Sequence, residues 1–525
     1  MGKSSYINNS NAKMDGKRRS RKNFRLEKGI IMLKKYVLLL CLCAALFGKE
    51  WPIYRIGIHE NVPYLEKGRN ELLDVYYPAD AKPEDRFPGV VIIHGGGWTG
   101  GQRDAAREIN IASNLVRMGY VCISIDYVLS KNGKGTWPRN FMDCKTAVQW
   151  MRVNAEKLHV IPDKIGCIGG SAGGHLSTLL AVGGKDMGLE PTSPYGNVDT
   201  SIQAGVNLYG IMDLAKWRYM QKDGTPIDGK YRKPAFVGAK IEEDPERWKF
   251  ASPMYQLDKN DPPILQLHGL ADTTVDWWQA RDMKAALDAA GIVNELMLIP
   301  GIGHTFDLQR PGDANYPKEI RPAVIRFYDK YLKGLDDAAC KERYDALLAW
   351  EAAHPDDSLY WTLNINSGKL VKNLGKGRWI VERDGKEMEI QLSEKTTVKS
   401  EKEVTVADMA DGQIVNGYGK RNDETDVTLD KLVILDKSYG RMALGNISFL
   451  NSTLKKTENG WSVETIRNGQ QQKTLWPLKL SEKFKVYRRQ FGTVDDLQVG
   501  MRIVQMTGKA AGELRLVNTI VLEGK

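Results

Sequence analysis

Gly169-Gly170-Ser171-Ala172-Gly173 sets one serine among small residues, after the apolar run Ile165 to Ile168 and ahead of a helical stretch, Ala172 to Val182. A hydroxyl on such a turn stands clear of a sheet, and only small neighbours let the flanking strand and helix close on it. The helix that follows aims its N-terminus at the reacting oxygen and favours developing negative charge. G-x-S-x-G alone also makes ordinary turns; the strand, turn and helix around it give it weight. A second stretch, His94-Gly95-Gly96-Gly97-Trp98, follows the apolar run Val90 to Ile93. Its glycines leave backbone N–H groups bare and allow close approach to a substrate. A plain glycine turn would read the same in isolation, but the downstream serine favours an oxyanion hole built from the N–H groups of Gly96, Gly97 and Ala172. Trp98 and His94 flank that loop as candidate substrate contacts, His94 also serving the loop's structure.

A serine nucleophile needs a base, and the chain holds seven histidines. His59 precedes the core strands, His94 belongs to the glycine loop, and His159 and His354 sit in surface-like segments. His175 lies one turn into the helix after Ser171 and packs behind it, and His268 ends an apolar strand. His304, in Gly301-Ile302-Gly303-His304-Thr305-Phe306, follows the last strand on a loop at the edge where active groups of open α/β sheets collect. The acid that orients the base belongs between them. Asp272 follows the strand Ile264 to Leu267, and Asp276 competes with it. Asp276 reads as the N-cap of the helix opened by Trp277, so Asp272 is favoured. The order Ser171, Asp272, His304 is that of α/β-hydrolases.

The elements that must hold these residues are legible. Further strand-like runs are Leu72 to Tyr77, Tyr120 to Ile125, Ala204 to Leu208 and Glu295 to Ile299, most of them continuously apolar, as in strands covered on both faces. Helical stretches lie between many of them: Asp104 to Met118, Phe141 to Lys157, Trp277 to Ala290 and Pro317 to Leu332. The alternation predicts α/β architecture: a doubly wound, mostly parallel sheet over residues 50–335. Lys216 to Asp261 is polar and irregular and reads as an insertion able to roof the site. A charged, Ala-rich helical linker follows over 336–359. From 360 the chain turns rich in Thr, Val and Ile, an all-β region that repeats itself. Leu392-Ser393-Glu394-Lys395 recurs as Leu480-Ser481-Glu482-Lys483, and Val398, Val406, Asp408 and Gly412 recur as Val486, Val494, Asp496 and Gly500. Each copy also carries a Trp and then a hairpin dipeptide, Trp379 with Asp384-Gly385 and Trp461 with Asn468-Gly469. Two β modules, 360–445 and 446–525, are expected. Trp379, Trp461, Trp476 and Tyr487 are read as core rather than as a sugar-stacking face.

Charge removes one function class. The formal charge is +10, but residues 1–35 hold eleven Lys/Arg against two Asp/Glu, leaving 64 basic and 63 acidic residues elsewhere. A neutral body with a basic arm does not suggest a nucleic-acid partner. The arm leads into the apolar run Tyr36 to Phe47, too short to span a bilayer as a helix and fitting a secretory signal over 32–48 with Lys34 and Lys35 as its positive flank. Residues 1–31 then read as a non-structural upstream extension. Secretion or periplasmic export is expected, with no stable membrane span after cleavage; retention of the run as an anchor is the other option. Of six cysteines, two lie in that run, and Cys122, Cys144, Cys167 and Cys340 lie far apart without metal-ligand spacing. No disulfide framework, metal or organic cofactor is called for.

Residues 60–335 resemble the α/β-hydrolase superfamily. They are most similar to its carboxylesterase branch, near hormone-sensitive-lipase relatives and bifunctional feruloyl and acetyl xylan esterases. The motifs that carry this are HGGGW at His94 to Trp98, SIDYVLS at Ser124 to Ser130, GGSAGGHL at Gly169 to Leu176, HGLADTTV at His268 to Val275 and GIGHTF at Gly301 to Phe306. Val128 stands where that family usually has Arg, and Asp276 where it usually has Pro; neither is in the triad. The resemblance does not extend to the β tail. It implies a small-molecule ester or an esterified plant polysaccharide, with acetyl or feruloyl groups, as substrate. A peptidase of the same fold, and a polysaccharide-binding surface protein with a vestigial hydrolase, are the alternatives. The glycine loop suits esterases better than peptidases, and three intact triad residues count against a vestigial site.

Overall fold

Val90, Val91, Ile92 and Ile93 are all fully buried, yet they belong to two different cores. Val91 and Ile93 pack with Ile123, Ile125, Phe141, Val148, Leu176 and Leu179, whereas Val90 and Ile92 pack with Cys122, Ile168, Val206, Ile109, Leu115, Val324 and Phe327. Alternate side chains leave opposite faces of a strand, so a continuously apolar strand requires helices on both sides. The computed structural model describes residues 51–308 other than 222 and 224, 317, 319–354, 363–393, 396–422, 426–436, 443–444, 448–466, 473–511 and 514–524. The expected extension and signal, 1–31 and 32–48, lie outside the described residues.

The eight-stranded sheet contains β1 (Ile56–Pro63), β2 (Leu72–Pro78), β3 (Phe87–Ile93), β4 (Val121–Ile125), β5 (Val160–Gly170), β6 (Ala204–Leu208), β9 (Ile264–Gly269) and β10 (Asn294–Ile299). Between β6 and β9 the insertion carries a small hairpin, β7 (Arg218–Met220) with β8 (Pro226–Tyr231). The sheet order is β1-β2-β4-β3-β5-β6-β9-β10. From β4 to β10 every pairing is parallel, and β2 runs antiparallel to β1 and β4. Helices α1 (Ala106–Arg117) and α6 (Ile320–Lys333) cover one face. Helices α2 (Arg139–Val153), α3 (Ala172–Val182) and α5 (Trp278–Ala289) cover the other. A short α4 (Pro245–Phe250) lies in the insertion, capped by Asp244, whose side chain accepts from the Arg247 N–H at 3.0 Å. β1 was not expected: at the sheet's edge it runs from buried Ile56 and Gly57 to exposed His59, Glu60 and Pro63, and the register with β2 shifts between His59 and Val62.

Helix α7 (Asp337–Ala353) is docked rather than free. Leu347 joins the core shared with α1 and α6, Arg343 donates to Asp329 Oδ2 at 3.0 Å and to the Met118 carbonyl at 2.6 Å, and Arg321 holds Glu351 at 2.7 Å. The linker reading is corrected accordingly: a few buried groups on a charged helix fix it to α1 and α6.

The tail is all β: β11 (Leu363–Gly375), β12 (Arg378–Arg383), β13 (Lys386–Gln391), β14 (Thr397–Val404), β15 (Ile414–Asn422), β16 (Asp426–Leu435), β17 (Ala443–Leu444), β18 (Ser448–Thr457), β19 (Gly460–Ile466), β20 (Lys473–Gly492), β21 (Arg502–Ala511) and β22 (Leu514–Glu523). Strands β11, β12, β13, β22 and β21 close on one another into a barrel. Strands β15, β16, β20, β19 and β18 close in the same way. The expected cut at 445/446 does not separate the cores. One gathers Ile365 to Val398 with Leu497 to Leu522, and the other Met409 to Val486. The reason is the parallel pairing of β14 with β22 and of β16 with β20, which takes each half of the tail into the other half's barrel. Trp379 and Trp476 are core residues and Trp461 packs against the second core. Asp384-Gly385 makes its hairpin with both residues at positive φ, 53° and 75°; Asn468-Gly469 lies outside the described residues.

Candidate active site

Strand β5 ends at Gly170 and α3 begins at Ala172, so Ser171 takes the whole reversal on itself, at φ 58° and ψ −119°. A non-glycine residue rarely adopts this conformation, and it persists only where the surroundings impose it. Here the Ser171 N–H is fixed to the Leu208 carbonyl at 2.9 Å. The turn is also too crowded for larger neighbours: a Cβ on Gly173 would lie 2.0 Å from the Ile93 carbonyl oxygen, and one on Gly169 would lie 2.3 Å from that of Gly173. The glycines expected from sequence are therefore required by contact.

Ser171 Oγ lies 3.0 Å from His304 Nε2, and His304 Nδ1 lies 2.6 Å from Asp272 Oδ2. The three side chains come from the ends of β5, β9 and β10, at the C-terminal edge of the parallel strands. Asp272 Oδ1 accepts the N–H groups of Thr274 at 2.8 Å and Val275 at 2.9 Å, which locks the carboxylate in one rotamer. Burial alone would raise the Asp272 pKa; hydrogen bonds from His268 and His304 outweigh it and hold the carboxyl below the ordinary carboxylate range. Asp276 is not the acid, and it is not the helix cap the sequence suggested. Helix α5 begins after Trp277 without a side-chain cap, and Asp276 is ion-paired to Arg218 at 2.8 Å, tying the β7–β8 hairpin to the body.

The glycine loop lies against Ser171. A Cβ on Gly95 would stand 3.4 Å from Ser171 Cβ, and Gly96 and Gly97 adopt φ 113° and 60°. Among the described residues none accepts a hydrogen bond from the N–H of Gly96 or Gly97. Ala172 is the first residue of α3, where a helix leaves its N–H groups unpaired. The two expected substrate contacts are corrected. Trp98 is 0 % and His94 1 % exposed. Trp98, itself at φ 57°, turns inward to stack on Phe236 at 4.2 Å and meets Trp217 and His175 edge-on. His94 stacks on Tyr127 at 4.4 Å and donates from Nδ1 to its neighbour's carbonyl. Both side chains stiffen the loop from beneath. His175 packs behind α3 as expected, donating to the Ala251 carbonyl at 2.7 Å, and burial pushes its pKa down to about 4.

Three further residues were not legible as site residues. Tyr209, at φ 44° after β6, lies edge-on to the His304 ring at 4.8 Å. Its hydroxyl accepts from Arg107 at 2.9 Å and donates to the Phe306 carbonyl at 2.6 Å, two residues beyond the imidazole. Arg107 and Tyr209 thus brace the loop that carries His304. His268 touches Asp272 directly, and its spacing of four from Asp272 was the available signal. Among the described residues no group of three or more His, Cys, Asp or Glu is arranged to hold a metal ion, and no helix is long and apolar enough to cross a membrane.

A mostly parallel sheet with a strained serine at the end of a central strand, a glycine loop beside it and a histidine–aspartate pair behind it is an α/β-hydrolase-like arrangement. Residues 73–287 match the BD-FAE family. The chain is 34% identical over 250 residues to esterase LipQ of Mycobacterium tuberculosis, a match covering 47% of this chain and 57% of the relative. It is 35% identical over 242 residues to esterase LipC of the same organism, covering 45% and 57%. The chain therefore spans little more than half the length of these curated relatives. Among solved structures, a truncated carbohydrate esterase from gut microbiota aligns with TM-score 0.45 and 27% identity over 54% of this chain and all of its own. Apo esterase 2 of Thermogutta terrifontis aligns with TM-score 0.42 and 25% identity, covering 54% and 96%.

Proposed function

We propose that this chain is a secreted serine carboxylesterase working through an acyl-enzyme on acetyl or feruloyl esters of plant polysaccharide. One observation carries the chemistry: the unbroken hydrogen-bond chain from Ser171 through His304 to Asp272, at 3.0 and 2.6 Å. His304 Nε2 takes the Ser171 proton as Oγ attacks the ester carbonyl, and Asp272 stabilises the imidazolium that forms. The N–H groups of Gly96, Gly97 and Ala172 receive the oxyanion; losing one such donor typically costs about 10² to 10³ in rate. His304 then protonates the leaving alcohol, and water, deprotonated by the same imidazole, releases the acid and restores the serine.

The polysaccharide assignment rests on two supports: the resemblance to feruloyl and acetyl xylan esterases, carried by the stretch that matches the BD-FAE family, and the signal-like run Tyr36 to Phe47. In the tail we read two interleaved copies of one β unit. In support, Thr405 with Asp408 and Thr493 with Asp496 build the same capping box at equivalent places. The test of substrate is release of acetate or ferulate from acetylated or feruloylated xylan, with Ser171→Ala as control. Release by the wild type alone is expected. Cleavage of free aryl esters with no release from xylan would remove the polysaccharide assignment and leave the esterase.

A further inference from the structure

His268 is the penultimate residue of strand β9 and is completely buried. Its Nε2 lies 2.9 Å from the Val275 carbonyl oxygen and 3.4 Å from Asp272 Oδ2. Both neighbours are acceptors, so Nε2 carries a proton. Nδ1 is buried and meets no hydrogen-bond partner among the described residues. A second proton there would be a buried donor without an acceptor, which is costly. The ring is therefore neutral, a donor on one side only. Asp272 Oδ2 is shared between two imidazoles, that of His304 at 2.6 Å and that of His268, while two backbone N–H groups occupy Oδ1. His304 alone of the pair reaches Ser171.

We propose that His268 is a positioning residue of the hydrolytic site: a neutral donor, shared between Val275 and Asp272, that fixes the carboxylate toward His304 and limits its pull on the imidazole proton. This rests on the esterase reading above. A carboxylate relieved of that donor is more basic and less constrained, and it holds a proton more firmly on His304. The added basicity by itself favours the imidazolium; kcat falls because the unconstrained carboxylate no longer holds His304 in line with Ser171, while substrate binding is untouched. The ionisable groups that face Asp272 are His268 from β9 and His304 from the loop after β10. Facing His304 from the end of β6 is Tyr209, which Arg107 of α1 holds.

The test is the pH dependence of p-nitrophenyl acetate hydrolysis by the full chain, as wild type, His268→Phe and His268→Gln, with thermal unfolding of each. His268→Phe keeps a flat ring and loses the donor. It is expected to lower kcat about tenfold, leave KM unchanged, and move the acid limb of kcat/KM to higher pH by about half a unit. His268→Gln places an amide N–H where Nε2 was and restores most of both. A folded Phe variant with wild-type kcat and acid limb overturns the proposal, as does a folded Gln variant as impaired as the Phe variant. Should the Phe variant not fold, His268→Met, apolar and more adaptable, takes its place: the same losses support the proposal, and wild-type kcat with a wild-type acid limb overturns it. If the wild type itself hydrolyses no ester, the esterase reading falls instead.

Discussion

Ser171→Ala lowers kcat for a simple ester by about 10⁶-fold, the size expected when a nucleophile of a serine triad is removed, while thermal unfolding stays close to that of wild type. The two halves of this result have separate causes. Oγ is the only atom lost, its one described partner is His304 Nε2 at 3.0 Å, and without it no covalent intermediate forms. The strained backbone at φ 58° is fixed by the Leu208 carbonyl and by the packing of Gly169 and Gly173; alanine adopts it no more and no less easily than serine. Steady-state kinetics beside a melting curve check both halves. A folded Ser171→Ala variant within about tenfold of wild type would mean that another group attacks the ester.

The second large effect is that of Asp272→Asn, expected to lower kcat about 10⁴-fold. The direction follows from the donors already in place. Oδ1 accepts the N–H groups of Thr274 and Val275, so the amide oxygen of an asparagine is drawn to that side. Its NH₂ then faces His304 Nδ1, which must accept rather than donate. The proton moves to Nε2, the atom that has to receive hydrogen from Ser171, and the base is disabled in its resting state. Kinetics on p-nitrophenyl acetate measure the loss. A wild-type rate would show that the acid lies elsewhere, and Asp276 is poorly placed to supply it because Arg218 holds its carboxylate.

The parts of this site that could be read from the sequence are those whose cause is local. A serine among glycines between a strand and a helix must stand on a tight turn, and an aspartate and a histidine after successive parallel strands must reach the same edge. The parts that could not be read depend on residues far apart in the chain. Trp98 beside a glycine loop looks like a substrate contact, but Trp217 and Phe236 of the insertion close over it and turn it into core. His268 looks like the last apolar position of a strand until the turn after it brings Asp272 back within 3.4 Å. The tail shows the same division. Its recurring residues were visible in order, whereas the exchange that puts β15 and β16 in one barrel and β21 and β22 in the other is a choice of partner that no single stretch encodes. Edge strand β1, exposed along much of its length, lacks the apolar run that marks its neighbours.

The central claim is that one hydroxyl of this chain, activated by His304, becomes the covalent carrier of the acyl group. Mass spectrometry of the full chain after exposure to a p-nitrophenyl phosphonate ester tests it directly, because such a reagent leaves a stable adduct on an activated serine. The account predicts one adduct per chain, on the peptide that contains Ser171, formed with loss of esterase activity and absent from the His304→Ala variant. Inactivation with the adduct on any other residue, or sustained ester hydrolysis by a chain fully labelled at Ser171, would contradict it.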